Sequence, residues 1–219
     1  MIPREHLDTA HIPGGGELRL YQRGAEFTVA LGPNELMSSR MAGSEEALAL
    51  MAIERLKTPA PHLLIGGYGM GFTLRAALGR LGRQARVSVA ELVPEIIAWA
   101  RGPMAALTAG CLDDPRVALI QGDVAEAIAA AKSRYDAILL DVDNGPDGLS
   151  RAANDRLYAA RGLAAAKAAL KPGGVLAIWS AGPDAKFTRR LKDAGFTVEE
   201  AVVRARAGKG ARHVIWFAR

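Results

Sequence analysis

Cysteine is almost absent from this 219-residue chain: Cys111 stands alone. One thiol excludes an internal disulfide framework and any cysteine-based zinc cluster, and it is what a reducing compartment leads one to expect. Aromatic residues are sparse at 5%, and no run approaches the ~18–20 uninterrupted apolar residues of a membrane helix. The opening Met1-Ile2-Pro3-Arg4-Glu5-His6 lacks the apolar stretch of a secretory signal, so a soluble cytoplasmic protein is expected. No internal repeat, low-complexity tract or long linker divides the chain, and a single core is the expectation. Neither sign of charge dominates. The 28 basic residues exceed the 23 acidic ones by five, too modest an excess to point to a nucleic-acid partner. What is present is globular: half the residues are apolar, with 24 Gly and 11 Pro. A chain of this length buries about 70% of its unfolded surface without a metal or disulfide.

The first part of the chain reads as a short β-hairpin extension over 1–42. Gly14-Gly15-Gly16 precede two strand-like runs, Glu17 to Tyr21 and Glu26 to Leu31, separated by Arg23-Gly24. Ser44 is the expected cap of a helix whose first turn carries Glu45 and Glu46, where negative charge suits the helix dipole. Over 43–219, short aliphatic runs alternate with helical stretches, the pattern of a parallel sheet covered on both faces. Strands are predicted at His62–Gly66, Arg86–Glu91, Arg116–Gln121, Tyr135–Asp141 and Gly174–Ser180. Helices are predicted at Phe72–Leu81, Pro94–Leu107, Val124–Lys132, Asp155–Leu170 and Asp184–Ala194, with Lys171-Pro172-Gly173-Gly174 as a helix stop. The runs Phe196–Arg204 and Arg212–Ala218 are too closely joined for a parallel crossover and should pair antiparallel.

Ligands of open α/β sheets bind beyond the carboxyl ends of the strands, where strand order reverses. The first predicted strand runs into Gly66-Gly67-Tyr68-Gly69-Met70-Gly71 and a helix. Glycines permit positive φ and close backbone approach, and the helix N-terminus favours an anionic group. The second strand ends at Glu91, where a carboxylate can accept hydrogen bonds from both hydroxyls of a ribose. After the third come Gln121-Gly122-Asp123-Val124; Asp123 is either a helix cap, or an acceptor for the amine of adenine, or both. The fourth delivers Asp141, followed by Asp143, Asn144 and Asp147. A carboxylate there can take a proton from a nucleophile or hold a cation, the alternatives being a solvated Asx-rich turn or a hard-cation site.

Five parallel strands ending in an antiparallel hairpin resemble the Rossmann-like fold of class I S-adenosylmethionine-dependent methyltransferases, a seven-stranded mostly parallel sheet whose last strand inserts beside the fifth. The motifs add to this. Leu64-Ile65-Gly66-Gly67 with Gly69 and Gly71, Val89-Ala90-Glu91-Leu92-Val93-Pro94-Glu95, Asp114-Pro115-Arg116-Val117, Gly122-Asp123, Tyr135-Asp136-Ala137-Ile138-Leu139-Leu140-Asp141 and Leu170-Lys171-Pro172-Gly173-Gly174 follow one another as in the spermidine/spermine synthase family. By this resemblance Glu91 would bind ribose, Asp123 adenine, and Asp141 would match the catalytic aspartate that deprotonates an attacking amine. Gly66, Gly67, Tyr68, Gly69, Gly71 and Val124 would complete the cofactor cradle, and Asp143 would be a second catalytic carboxylate. The chain departs from the family in the glycine loop, where Tyr68-Gly69-Met70 replaces an acidic residue that contacts the aminopropyl amine of decarboxylated S-adenosylmethionine. It departs again at Asp141-Val142-Asp143-Asn144-Gly145-Pro146, and the family's Tyr and Gln substrate residues have no counterpart around Asn34–Arg40.

The expected function is therefore methyl transfer from S-adenosylmethionine to a nitrogen or oxygen of a small molecule. The alternatives are aminopropyl transfer from decarboxylated S-adenosylmethionine and a non-catalytic nucleoside-binding or assembly protein. No metal is expected, and a homodimer is the expectation from fold analogy. Cys111 is read as inert, His62 as structural, and Trp179 and Trp216 as packing residues, with Trp179 also able to line an acceptor pocket. Arg204, Arg206, Lys209, Arg212 and His213 are read as the solvated tip of the last hairpin.

Overall fold

The computed structural model describes residues 2–142, 155–206 and 209–219. The chain opens with β1 (Glu5–His11), β2 (Glu17–Arg23), β3 (Glu26–Leu31) and β4 (Asn34–Ser38), which form an antiparallel sheet in that order. The expected hairpin is thus the centre of a four-stranded sheet. Its outer strands escape a sequence reading because EHLDTAH and NELMS lack a clean apolar alternation, whereas Leu18, Leu20, Phe27 and Val29 bury one face of β2 and β3.

Then come α1 (Gly43–Glu54), β5 (His62–Gly66), α2 (Phe72–Arg80), β6 (Arg86–Glu91), α3 (Pro94–Arg101), α4 (Ala105–Thr108), β7 (Val117–Gln121), α5 (Val124–Ala129) and β8 (Tyr135–Leu140). The remainder is α6 (Asp155–Tyr158), α7 (Ala160–Ala169), β9 (Leu170–Ser180), α8 (Ala185–Asp193), β10 (Val198–Arg206) and β11 (Lys209–Ala218). The large sheet has the order β10-β11-β9-β8-β5-β6-β7. Strands β5 to β9 pair in parallel, and β11 runs antiparallel between β9 and β10, as expected of the final hairpin. Strand order reverses between β5 and β8, which opens a crevice at their carboxyl ends.

Alternating side chains build two cores because successive residues of a strand face opposite ways. Leu63 and Ile65, Ala137 and Leu139, Ala177 and Trp179, and Ile215 and Phe217 face α1, α2, α3 and the N-terminal sheet. Leu64, Ile138 and Leu140, Leu176 and Ile178, and Val214 and Trp216 face α5, α6, α7 and α8. The Trp99 indole N–H donates to Asp8 at 2.6 Å, tying α3 to β1.

Several boundaries differ from expectation for local reasons. Ser44 does not cap α1: the cap position is Ala42, without a side-chain bond. The helix starts at Gly43, which lies against the β10 backbone where a Cβ would come within 3.0 Å of the Arg204 carbonyl oxygen, and Ser44 is buried inside the first turn. The helix expected over Pro94–Leu107 breaks after Arg101, since Pro103 has no N–H and disfavours helical geometry at the residue before it. The one expected from Asp155 divides at the extended Ala159, whose conformation opens α7. Lys171-Pro172-Gly173-Gly174 does stop α7, but it lies inside β9 as an irregularity between the Tyr135–Leu170 and Ala137–Val175 pairings. Among the described residues no helix is long and apolar enough to cross a membrane.

Candidate functional site

Three strand ends and one turn converge on a single cavity. Its walls include Gly67, Tyr68, Gly69 and Met70 after β5, Glu91 at the end of β6, Gly122, Asp123 and Val124 after β7, and Asp141 after β8. The sequence-predicted cradle is therefore brought together, with Gly66 and Gly71 flanking the turn as its structural members. Ile12, Leu18, Leu36 and Met37 of the N-terminal sheet close it from above, α1 contributes Glu45, and β9 contributes Trp179.

Backbone bonds hold the strand ends in register. The Gly67 N–H donates to the Ala90 carbonyl at 2.9 Å, the Asp141 N–H to Gly66 at 2.9 Å, and the Gly122 N–H to Glu91 at 2.8 Å. Gly67 has φ +82°, and a Cβ there would lie 2.4 Å from the Asp141 carbonyl oxygen, so only glycine fits. At Gly66 a Cβ would meet a Val124 methyl at 2.8 Å, which is how Val124 packs beneath the turn. Tyr68 contributes its backbone to the turn, while its hydroxyl lies 3.3 Å from Cys111 Sγ. Burial pushes that thiol above its ordinary range, in keeping with an inert cysteine. His62 is likewise structural, its Nε2 lying 3.0 Å from the Ser88 hydroxyl, and the Trp216 N–H donates to Thr188 within the core.

Glu91 is buried, and its two oxygens accept the amide N–H groups of Tyr68 at 2.8 Å and Val93 at 2.9 Å. It organises the turn from the cavity wall. Burial raises its pKa, and the hydrogen bonds from Val93 and Tyr68 oppose that rise. The Gly69 and Leu92 amides also act on this carboxylate and lower its pKa. Asp123 caps α5 by accepting the Ala125 N–H at 2.9 Å, the first of its two expected readings. Asp143, Asn144 and Asp147 lie outside the described residues.

Asp141 accepts the Thr73 hydroxyl at 2.7 Å. Burial pushes its carboxyl up to about 6, against the lowering effect of that bond. The residue that a sequence reading misses is Glu45. Assigned by position to the dipole of α1, it turns instead into the cavity, where burial and then the facing Asp141 push it up to about 7. The Ser44 hydroxyl donates to Glu45 Oε2 at 2.6 Å, and His213 Nδ1 lies 2.9 Å from the same hydroxyl oxygen. When the serine proton points to Glu45, His213 Nδ1–H is the donor to the serine oxygen. His213 is thus no solvated tip residue: it is half-buried, its ring packs edge-on against Trp179 at 4.8 Å, and burial lowers its pKa. No spacing in the sequence joins residues 44, 45, 141 and 213, and no local signal could have found this group.

The cavity is lined by four carboxylates, from Glu45, Glu91, Asp123 and Asp141, and by no lysine or arginine among the described residues. Such a wall suits a cationic ligand. Trp179 Nε1 is buried and has no hydrogen-bond partner among the described residues.

Comparison with known proteins places this geometry. The spermine/spermidine synthase domain matches residues 41–186. A polyamine aminopropyltransferase of Streptomyces coelicolor is 32% identical over 130 residues, 58% of this chain and 24% of that protein. A putrescine N-methyltransferase of Nicotiana tabacum is 32% identical over 132 residues, 60% of this chain and 32% of that protein. The matched segment thus spans about a quarter to a third of these curated relatives. Among solved structures, the spermidine synthase of Thermotoga maritima superposes with a TM-score of 0.78 at 20% identity, covering 97% of this chain and 72% of that one. Human methyltransferase-like protein 13, solved in complex with SAH, gives 0.64 at 20% identity, covering 80% and 82%. These two likenesses show the fold, that of the class I methyltransferases and spermidine synthases.

Proposed function

This chain belongs to the spermine/spermidine synthase domain family, and from that premise we propose that it transfers a methyl group from S-adenosylmethionine to a nitrogen or oxygen nucleophile of a small molecule. The observation that carries the reading is the chemistry of the glycine turn. Between Gly66 and Gly71 no side chain is acidic, and the turn leads into α2. The amides opening a helix favour an anionic group, and no carboxylate in the turn repels one. The carboxylate of the intact cofactor has a place there.

The donor set along the strand ends fits the remainder of that molecule. Glu91 would hold the ribose hydroxyls, Asp123 the adenine amine, and Val124 would pack against the base. When bound, the cofactor supplies an activated methyl carbon next to a cationic sulfur. This chain's own residues then orient the acceptor and accept its proton. Asp141 is the base: its elevated pKa brings it closer to working pH than an ordinary aspartate, and the Thr73 hydroxyl fixes its orientation. The apolar residues of the N-terminal sheet exclude water from above the turn. Positioning of this kind supplies much of the acceleration in an in-line displacement.

A second reading, aminopropyl transfer from decarboxylated S-adenosylmethionine, is favoured by the four carboxylates on the cavity wall, which suit a more highly charged cation. It also matches the activity named for the Streptomyces relative. Calorimetric titration with the intact and decarboxylated cofactors, with mass spectrometry of products from an amine pool, separates the two. Methyl transfer predicts tighter binding of the intact form and an N-methylated product. Tenfold tighter binding of the decarboxylated form, ~1.4 kcal/mol, would reverse the order. Cofactor binding without any product would leave a nucleoside-binding protein.

A further inference from the structure

We propose that Ser44 and His213 form the proton outlet of the site: the hydrogen-bonded chain Glu45–Ser44–His213 carries to solvent the proton that the cavity carboxylates take from the reacting nucleophile. This rests on the transferase reading above and adds the step that returns Asp141 to its charged form. Ser44 and His213 act through Glu45 and need touch no substrate.

A nucleophile that loses a proton to the buried Asp141 leaves it there, and the direct way out is the cavity itself, which cofactor and acceptor fill during a turnover. A second way leads through the wall behind Glu45. Glu45, from the first turn of α1, and Asp141, from the end of β8, line the same cavity, and two facing carboxylates hold one proton between them more readily than two charges. Glu45 Oε2 accepts the hydroxyl of Ser44 at 2.6 Å, Ser44 is fully buried, and His213 Nδ1 lies 2.9 Å from the same hydroxyl oxygen. His213 is only half-buried and follows the exposed Arg212 on β11. Its ring is held edge-on against Trp179 of β9 at 4.8 Å and stands opposite Val203 of β10. The three groups thus make an unbroken path from the cavity, through a buried wall, to the surface.

A hydroxyl both donates and accepts, and imidazole does so through its two nitrogens, so the chain can point either way. With Glu45 ionised, Nδ1–H donates to Ser44 and Ser44 to Glu45. With Glu45 protonated, the carboxyl O–H donates to Ser44 Oγ and the serine O–H to a bare Nδ1. Transfer moves the Glu45 proton to Ser44 Oγ as the serine proton passes to Nδ1, and the imidazolium so formed releases its Nε2 proton to water. The carboxylate, the hydroxyl and a neutral ring remain, and the chain resets as the partly exposed ring exchanges its proton with solvent. The charged groups acting on Glu45 are Asp141 after β8 and Glu46 on its own helix turn; α2 offers only the Thr73 hydroxyl, bonded to Asp141 and to the Glu45 carbonyl oxygen. Glu45 is pushed up to about 7, while burial holds His213 below its ordinary 6.5, so the carboxyl takes up a proton before the ring does and the imidazolium is a passing carrier.

The test has two arms, both on the full-length protein. In the first, ¹⁵N NMR of histidine-labelled protein follows the ring nitrogens from about pH 9 downward, with His213→Asn identifying the His213 signals among the four histidines. The wild-type ring is expected to carry its proton on Nδ1 at high pH and to pass it to Nε2 as Glu45 is protonated near pH 7, before the ring charges. Ser44→Ala and Glu45→Gln should each abolish that change. In the second, turnover of S-adenosylmethionine with the amine pool is read as release of S-adenosylhomocysteine. His213→Asn, which can hydrogen-bond Ser44 but cannot pass a proton on, is expected to lower kcat about tenfold with KM for the cofactor within twofold, and added imidazole should restore the rate. A wild-type tautomer that stays fixed from about pH 9 to the point where the ring charges overturns the proposal. So does an unchanged kcat in His213→Asn, or a loss that imidazole does not restore, which would make the residue structural only. If the wild type releases no S-adenosylhomocysteine, the transferase reading falls instead, and the NMR titration still decides whether the chain answers to Glu45.

Discussion

Asp141→Asn should separate the cost of the buried carboxylate from its use. In the folded chain burial penalises the charged form of Asp141 and pushes its carboxyl up to about 6 from an ordinary 3.8. Folded protein therefore binds more protons than unfolded protein between those values, and stability falls as pH rises. The contribution is fully present below about pH 4 and is lost as pH passes through about 6. Raising the carboxyl from 3.8 to about 6 sets a ceiling of ~3 kcal/mol, and water in the open cavity reduces it to roughly 1–3 kcal/mol. Asparagine cannot ionise, has nearly the same volume and still accepts the Thr73 hydroxyl. Relative to wild type, Asp141→Asn should gain roughly 1–3 kcal/mol between about pH 4.5 and pH 8, a relative rise in Tm of about 2–12 °C for a chain of this size. It should also lower the titration point of Glu45, which the Asp141 charge helps to raise. The assay is urea unfolding at both pH values, with catalytic turnover measured alongside and expected to collapse. A variant destabilised equally at both pH values would refute the reasoning, since the carboxylate would then carry no ionisation cost.

Gly67→Ala should destabilise the fold by at least ~1–2 kcal/mol from the left-handed backbone alone, with more from the 2.4 Å approach to the Asp141 carbonyl, read as a lower urea midpoint with unchanged m-value. Glu91→Gln replaces one acceptor with a donor opposite a backbone N–H; it should cost ~1–3 kcal/mol in stability and reduce affinity for S-adenosylhomocysteine in calorimetry. Cys111, buried and with its pKa raised, should react with a thiol reagent only as fast as the protein unfolds, and rapid labelling of native protein would contradict its placement against Tyr68.

Much of the fold was legible without coordinates because its determinants are local. Four- to seven-residue aliphatic runs, a glycine turn before a helix and an aspartate before Val124 each report on a few consecutive residues. Hence β5 and β6 match their predicted limits, and Asp123 caps α5. The cradle of Glu91, Asp123 and Asp141 was legible for a topological reason: parallel strands deliver their carboxyl ends to one edge, so position in the strand is position in space. Boundaries differed where a local signal had two readings, as at Ser44, a plausible cap that lies inside the first turn of α1. Glu45 and His213 could not be read at all. Each sits in a segment with an ordinary local explanation, a helix dipole for one and a basic hairpin for the other. The contact between them runs through Ser44, 169 residues from His213, and exists only because α1 packs where β11 has inserted beside β9. Strand and turn conformations follow from neighbouring residues, because steric and hydrophobic preferences act over short stretches of chain. Which carboxylates face one another follows from packing across the whole chain, because the side of a helix that meets the cavity is set by everything around it.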